Sequence, residues 1–222
     1  MGVADERQKR LARMRLYVIT GDRGGEVETA RIVEAALEGG ANVIQLRKKT
    51  MEKGELYALA LALRRLTLLH DALFIVNDHV DIAIAADADG VHLGQADLAP
   101  AVVRGLPGFR GRLIGRSTHS VEQAGAAMVE GADYIAVGPV FPTPTKAGRP
   151  AVGIGLVTEV AAIADRPFVA VGGIDHDNAP AVVEAGARAI AVVRAVYDAE
   201  DPAEATRRLR EITSTRLEVA RR

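Results

Sequence analysis

The segment Gln45-Leu46-Arg47-Lys48-Lys49 follows a short run of β-branched and aliphatic residues. In an extended chain, alternation sends Gln45, Arg47 and Lys49 to one side and Leu46 to the other, so an amide and two cations share a face. That set suits a polyanion such as a diphosphate, with the guanidinium as a fork donor and the ammonium as a point charge. Lysine runs near helix starts are also ordinary solvated surface, and the spacing alone leaves both readings open. Two carboxylates stand in comparable places, Asp78 after Asn77 and Asp97 in Gly94-Gln95-Ala96-Asp97. Each alone reads as a helix N-cap. As a pair on adjacent strand ends, they offer two hard oxygen ligands to a magnesium ion that keeps its waters and bridges to phosphate oxygens. They lack the His or Cys company that zinc would want.

Further along, Gly115-Arg116-Ser117-Thr118-His119 brings hydroxyls and an imidazole. The nucleophile-elbow pattern Gly-x-Ser-x-Gly fails at His119, so Ser117 reads as a hydrogen-bonding contact, and His119 is a candidate proton shuttle. In Gly138-Pro139-Val140-Phe141-Pro142-Thr143-Pro144-Thr145-Lys146, three prolines stiffen a loop that carries Thr143, Thr145 and Lys146. Hydroxyls and an ammonium held rigid suit phosphate oxygens, because less freedom is lost on binding; a proline-rich surface turn is the plainer reading. Gly172-Gly173 and Val193-Arg194 come last, the glycines as a phosphate cup of bare N–H groups or as relief of crowding in a tight turn. No Walker loop, dinucleotide fingerprint or His-Glu-x-x-His occurs, which leaves P-loop kinases, Rossmann redox enzymes and zincin proteases without support.

The elements that must position these residues alternate. Short β-rich runs fall at Leu16 to Thr20, Val43 to Leu46, Phe74 to Val76, Gly90 to Leu93, Leu113 to Gly115, Tyr134 to Val137, Phe168 to Val171 and Ala189 to Val193. Helical periodicity falls at Glu26 to Glu38, Glu52 to Leu69, Val121 to Val129, Asp177 to Glu184 and Pro202 to Val219. The phrase Gly-Ala-x before an apolar run recurs at Gly40, Gly131 and Gly186, marking the joint between a helix and the next strand. Eight βα units with right-handed crossovers predict an α/β fold, a single (β/α)8 TIM barrel over residues 1–222 with its active site at the C-terminal ends of the strands. An open doubly wound sheet would gather its polar residues at one switch point, whereas here they follow nearly every strand. Met1 to Arg13 reads as a frayed arm, and Gly138 to Gly155 is the longest irregular stretch.

The chain has 222 residues, 28 Lys plus Arg against 29 Asp plus Glu, and no Cys or Trp. Disulfide scaffolds and cysteine-ligated zinc modules are excluded. A net charge of −1 and four Phe with four Tyr argue against a nucleic-acid partner. The apolar stretch Leu56 to Leu63 is far shorter than the roughly 18 residues of a membrane span, so no membrane partner is expected. The charged start resembles no signal peptide, which makes the cytoplasm the expected compartment.

The chain closely resembles the thiamine phosphate synthases from about Leu16-Tyr17-Val18-Ile19-Thr20 to about Arg210. The Gln-Leu-Arg-x-Lys element, Val76-Asn77-Asp78, Val91-His92-Leu93-Gly94-Gln95-Ala96-Asp97, Ser117-Thr118-His119 and the proline-bearing loop carry the likeness in this order. The resemblance implies condensation of hydroxymethylpyrimidine diphosphate with a thiazole phosphate, giving thiamine phosphate and diphosphate by way of a carbocation. It implies that Gln45, Arg47, Lys49 and Asn77 contact the pyrimidine diphosphate, that Asp78 and Asp97 hold Mg2+, and that Ser117 touches the pyrimidine end. Lys146 would meet the diphosphate, Thr143 and Thr145 the thiazole, and Gly173 with the backbone of Val193 and Arg194 the thiazole phosphate. Arg47, Lys49 and Lys146 would act as catalytic cations.

Two residues depart from the family's pattern: Arg194 stands where many members carry Ser, and Arg116 where many carry a small apolar residue. A thiazole tautomerase on the same barrel would need a proton shuttle such as His119 but not the full diphosphate set, and a non-catalytic regulator would bind ligand without turnover. A phosphosugar isomerase would share Gly172-Gly173 and leave the diphosphate clamp unexplained. The reading leaves room for a homo-oligomer.

Overall fold

The computed structural model describes residues 2–144, 148 and 150–219, the side chains of 215–219 excepted. Its strands are β1 (Leu16–Ile19), β2 (Val43–Leu46), β3 (Leu73–Asn77), β4 (Gly90–Leu93), β5 (Leu113–Thr118), β6 (Tyr134–Val137), β7 (Phe168–Val171) and β8 (Ile190–Val192). They are parallel, each pairs with the next, and β8 pairs with β1 to close the barrel. The long helices α2 (Glu26–Glu38), α3 (Lys53–Leu69), α6 (Val121–Val129), α7 (Gly153–Ile163) and α10 (Pro202–Val219) pack outside it. Shorter ones, α4 (Val80–Ala85), α5 (Pro100–Arg104) and α8 (Ala179–Glu184), fill the remaining crossovers, and α9 (Arg194–Tyr197) follows β8. Strict alternation left no other closed arrangement for strands this short and this apolar.

Alternation along the strands divides the core in two. Val18, Ile44, Phe74, Val91, Ile114 and Ile135 point outward and meet the helices, while Tyr17, Val43, Ile75, Tyr134, Val169 and Ala191 point inward. Because both faces are covered, every strand residue but Asn77 and Val171 is buried.

Residues 3–12 are not a frayed arm. They form α1 (Val3–Ala12), whose Leu11 joins the inward cluster with Met14 beyond the helix, at 1% and 3% exposure, and closes the lower end of the barrel. The polar composition of this segment hides three residues that turn inward, Arg7, Leu11 and Met14. Arg7 Nε donates to Asp89 Oδ1 at 3.0 Å, and Arg64 Nη1 and the Phe74 backbone N donate to Asp89 Oδ2 at 2.8 and 2.9 Å. One buried carboxylate thus ties α1, α3 and β3 together.

Candidate active site

A cavity of about 760 Å³ opens at the C-terminal ends of the strands. Gln45, Arg47, Lys49, Asn77, Asp78, Asp97, Ser117, Thr143, Gly173, Val193 and Arg194 all line it, as does His119. Thr145 and Lys146 lie outside the described residues.

The cationic wall is held by the turn after β2. Thr20 Oγ1 accepts from Arg47 N at 2.9 Å and donates to Arg47 O at 3.0 Å, so the backbone carrying the guanidinium is bracketed from β1. Arg47 Nη1 stands 3.3 Å from Asp22 Oδ2, and Lys49 Nζ stands 3.5 Å from Asp78 Oδ2. The intervening Lys48 points away from the cavity: its buried ammonium donates to the carbonyls of Arg23 and Gly24 at 2.7 and 3.1 Å, and burial lowers its pKa. The run of basic residues after β2 therefore divides into two cavity groups and one that anchors the β1–α2 loop.

Neither aspartate is a helix cap. The residue before α4 that serves as N-cap is His79, and that before α5 is Ala99. Asp78 is held at φ 61° with its N–H on His92 O at 2.9 Å, and Asp97 Oδ2 accepts from Gly94 N at 2.6 Å. Burial, then hydrogen bonding with Asp97 and repulsion from its charge, push the Asp78 carboxyl above the usual carboxylate range. Asp78 with Asp97 beside it is a fitting donor set for a divalent cation, which would offset the repulsion that Asp78 meets there. Among the described residues no group of three or more His, Asp and Glu gathers to hold a metal unaided. A hard cation here would complete its shell with waters and ligand oxygens, as magnesium does.

Ser117 sits on β5, which runs to Thr118, three residues beyond the Gly115 at which the sequence pattern ends the strand. Its Oγ lies 2.9 Å from His92 Nε2, and Gln95 Nε2 donates to its carbonyl at 2.6 Å. His119 Nδ1 contacts the Gly138 carbonyl, so the ring braces the β6 loop, and the His119 backbone N–H donates to Gln123 Oε1 at 2.9 Å. Arg116 is directed outward; it is 7% exposed and donates to Leu98 O at 3.1 Å, securing the loop that carries Asp97. Two residues of the cavity floor, Tyr17 and His92, and Tyr134 buried beneath them were not anticipated, because each lies in a run read only as an apolar strand.

On another arc of the ring, the loops after β6 and β7 are joined. Val140 N donates to Val171 O at 2.9 Å and Phe141 N to Gly172 O at 3.0 Å. Gly172 and Gly173 adopt φ of 103° and 66°, and a Cβ would come within 2.5 Å of Pro139 Cα at the first and 2.7 Å of Phe141 Cβ at the second. Crowding thus accounts for both glycines, and they still line the cavity beside Val193 and Arg194 at the start of α9.

The family model described as thiamine monophosphate synthase matches residues 16–196. A thiamine-phosphate synthase of Gloeobacter violaceus is 51% identical over 197 residues, 89% of this chain and 57% of that protein. One from Mycolicibacterium vanbaalenii is 47% identical over 208 residues, 87% of this chain and 91% of that protein. The chain therefore spans little more than half of some relatives and nearly all of others. Among solved structures, a thiamine phosphate pyrophosphorylase from Pyrococcus furiosus superposes with a TM-score of 0.84 at 40% identity, covering 94% of this chain and 98% of that one. A 3-hexulose-6-phosphate synthase, 22% identical with a TM-score of 0.71 over 90% of this chain and 99% of that one, shares the fold. With a match that begins at β1 and ends in α9, enclosing every strand that builds the cavity, the chain belongs to the thiamine monophosphate synthase family.

Proposed function

We propose that the protein is a transferase that condenses hydroxymethylpyrimidine diphosphate with a thiazole phosphate and releases diphosphate. The observation that carries this is the gathering of Arg47, Lys49, Asp78 and Asp97 on one arc of a single cavity that Gly173, Val193 and Arg194 line on another. Such a cavity has room for two anionic substrates at once.

In this reading Gln45, Arg47, Lys49 and Asn77 bind the pyrimidine diphosphate, and Asp78 with Asp97 holds Mg2+. When bound, the ion supplies charge neutralisation at the diphosphate oxygens. The bond between the pyrimidine methylene and the diphosphate oxygen breaks, and its electron pair leaves with diphosphate. The thiazole nitrogen then donates its lone pair to the ring-stabilised cation, so no base or nucleophile of the protein takes part. Arg47, Lys49 and Lys146 stabilise the charge that grows on the leaving group, and Thr143 and Thr145 keep the thiazole in line. This reading takes the reaction to run in the cytoplasm.

The test is diphosphate release by the purified protein with pyrimidine diphosphate, magnesium and thiazole phosphate, omitting each in turn. Release that needs all three is expected. Binding without release would replace this reading with a ligand-binding regulator, and rearrangement of a thiazole phosphate alone would replace it with a tautomerase.

Arg194 adds a cation at the thiazole-phosphate end. Arg194→Ala is expected to raise the KM for thiazole phosphate about fivefold, the loss of one partly exposed charge-assisted contact, with kcat little changed. Steady-state kinetics with thiazole phosphate varied would show it; an unchanged KM would remove Arg194 from the site.

A further inference from the structure

A continuous row of buried polar side chains runs beneath the cavity. Gln45 Nε2 donates to the Tyr17 hydroxyl at 2.8 Å, Tyr17 and Tyr134 hydroxyls lie 2.8 Å apart, Tyr134 reaches His92 Nδ1 at 3.2 Å, and His92 Nε2 reaches Ser117 Oγ at 2.9 Å. The five residues come from β2, β1, β6, β4 and β5, and each is 7% exposed or less. The row is built into the strand register. His92, Gly115 and Tyr134 are partners across β4, β5 and β6, and a Cβ on Gly115 would lie 2.2 Å from Tyr134 Cζ and 2.6 Å from His92 Nδ1. The missing side chain of Gly115 is the space through which the phenol meets the imidazole.

The row has a direction. Burial raises the pKa of both phenols, so each stays a neutral hydroxyl with one proton to give. With Gln45 Nε2 donating to Tyr17, the arrangement that leaves no hydroxyl proton of the row unused has Tyr17 giving its proton to Tyr134 and Tyr134 giving its own to His92 Nδ1. His92 is then the neutral tautomer with its proton on Nε2, donating to Ser117. Ser117 Oγ, already an acceptor from below, has its own hydroxyl proton to offer upward, and Gln45, with its amide nitrogen turned to Tyr17, presents its amide oxygen.

We propose that Tyr17, Tyr134 and His92 are positioning residues that set Gln45 as an acceptor and Ser117 as a donor toward the pyrimidine, selecting a ring that carries an amino group beside an unprotonated nitrogen. This rests on the function proposed above and names how its first substrate is told from other diphosphates. A neutral hydroxyl donor also suits that chemistry, because a ring nitrogen protonated by a charged donor would oppose the cation formed on the same ring.

The experiment is calorimetric binding of magnesium diphosphate, of aminopyrimidine diphosphate and of its analogue lacking the amino group, to the wild type and to Tyr134→Phe and Tyr17→Phe. Each variant keeps its ring and breaks one link. Affinity for the aminopyrimidine compound is expected to fall about tenfold in either variant, as for a buried group left unpaired, with affinity for magnesium diphosphate and the KM for thiazole phosphate unchanged. Preference for the amino compound over its analogue narrows accordingly, and the double variant loses little more than either single one, since both cut one chain. A merely structural role would weaken all ligands alike. Undiminished preference in both variants overturns the inference and leaves the proposed function standing. A wild type that binds magnesium diphosphate but no aminopyrimidine diphosphate overturns both. Should Tyr134→Phe fail to fold, Tyr17→Phe and His92→Gln, the latter keeping a donor near Ser117, decide the matter by the same ratio.

Discussion

Asp78→Asn is expected to lower turnover at least a hundredfold, the several kcal/mol that charge stabilisation by a bound metal contributes to a departing phosphate group. Asparagine is the informative replacement. It has the same shape and tolerates the positive φ of 61° at this position, which alanine would not, so loss of rate will not be confounded with backbone strain. The change also has a readout in the absence of substrate. The Asp78 carboxyl lies above its ordinary range because burial and Asp97 disfavour its ionised form. The folded protein therefore binds more protons there than the unfolded chain does. This contribution to stability is full below the unfolded value and lost as pH rises through the folded one. Melting curves across that acidic window, without divalent cations, should show it in the wild type and not in Asp78→Asn. Added magnesium should raise the wild-type Tm at neutral pH and leave the variant's nearly unmoved. Near-normal turnover of the variant at saturating substrate and magnesium would take Asp78 out of the ion's shell.

At the other end of the barrel, Asp89→Ala is expected to cost about 3–5 kcal/mol of stability, the usual penalty for leaving buried charge without its partner. Its side chain is 5% exposed, and those of Arg7 and Arg64 are 10% and 11% exposed. Removing the carboxylate takes the Phe74 N–H's acceptor and the closest ion pair of both guanidiniums, leaving Arg7 the Gly111 carbonyl at 3.2 Å and Arg64 the exposed Asp87 at 3.7 Å. For a chain of this length that corresponds to a fall in Tm of about 10 °C, measurable by calorimetry or urea titration. The KM values should hold below the new transition, because no residue of this cluster lines the cavity. A melting temperature within a degree or two of the wild type's would mean that α1 is held by its other contacts, the packing of Leu11, Arg10 on Asp71 and Gln8 on Asp133.

The barrel was legible because its signal is redundant: strand after strand is short, aliphatic and followed by a helix, so misjudging one leaves the count intact. Four strand ranges, β2, β4, β6 and β7, and three helices, α2, α6 and α10, agree residue for residue with the pattern. The failures have causes. Gly115 reads as a strand end because glycine weakens a strand, yet here it makes room for a neighbour's ring and the ladder continues to Thr118. α7 was missed altogether, since Gly153 and Gly155 in its first turn read as loop, and α4, α5 and α9 are too short to show periodicity. The cavity residues could be named because Gln45, Arg47, Asn77, Asp78 and Asp97 break apolar runs at strand ends. Tyr17 and Tyr134 could not, since a phenol in a strand is indistinguishable by sequence from one more packing ring. Only the three-dimensional register shows that their hydroxyls meet.

With Leu11 and Met14 closing one end of the barrel, the cavity is blind: whatever enters at the mouth must leave by it. A carbocation formed at the bottom of a blind well meets only what stands above it. If the thiazole is that neighbour, it is at once reagent and stopper, and water cannot arrive from behind to hydrolyse the cation. In the proposed reaction the helix at the far end of the molecule would thereby guard the yield as well as the fold.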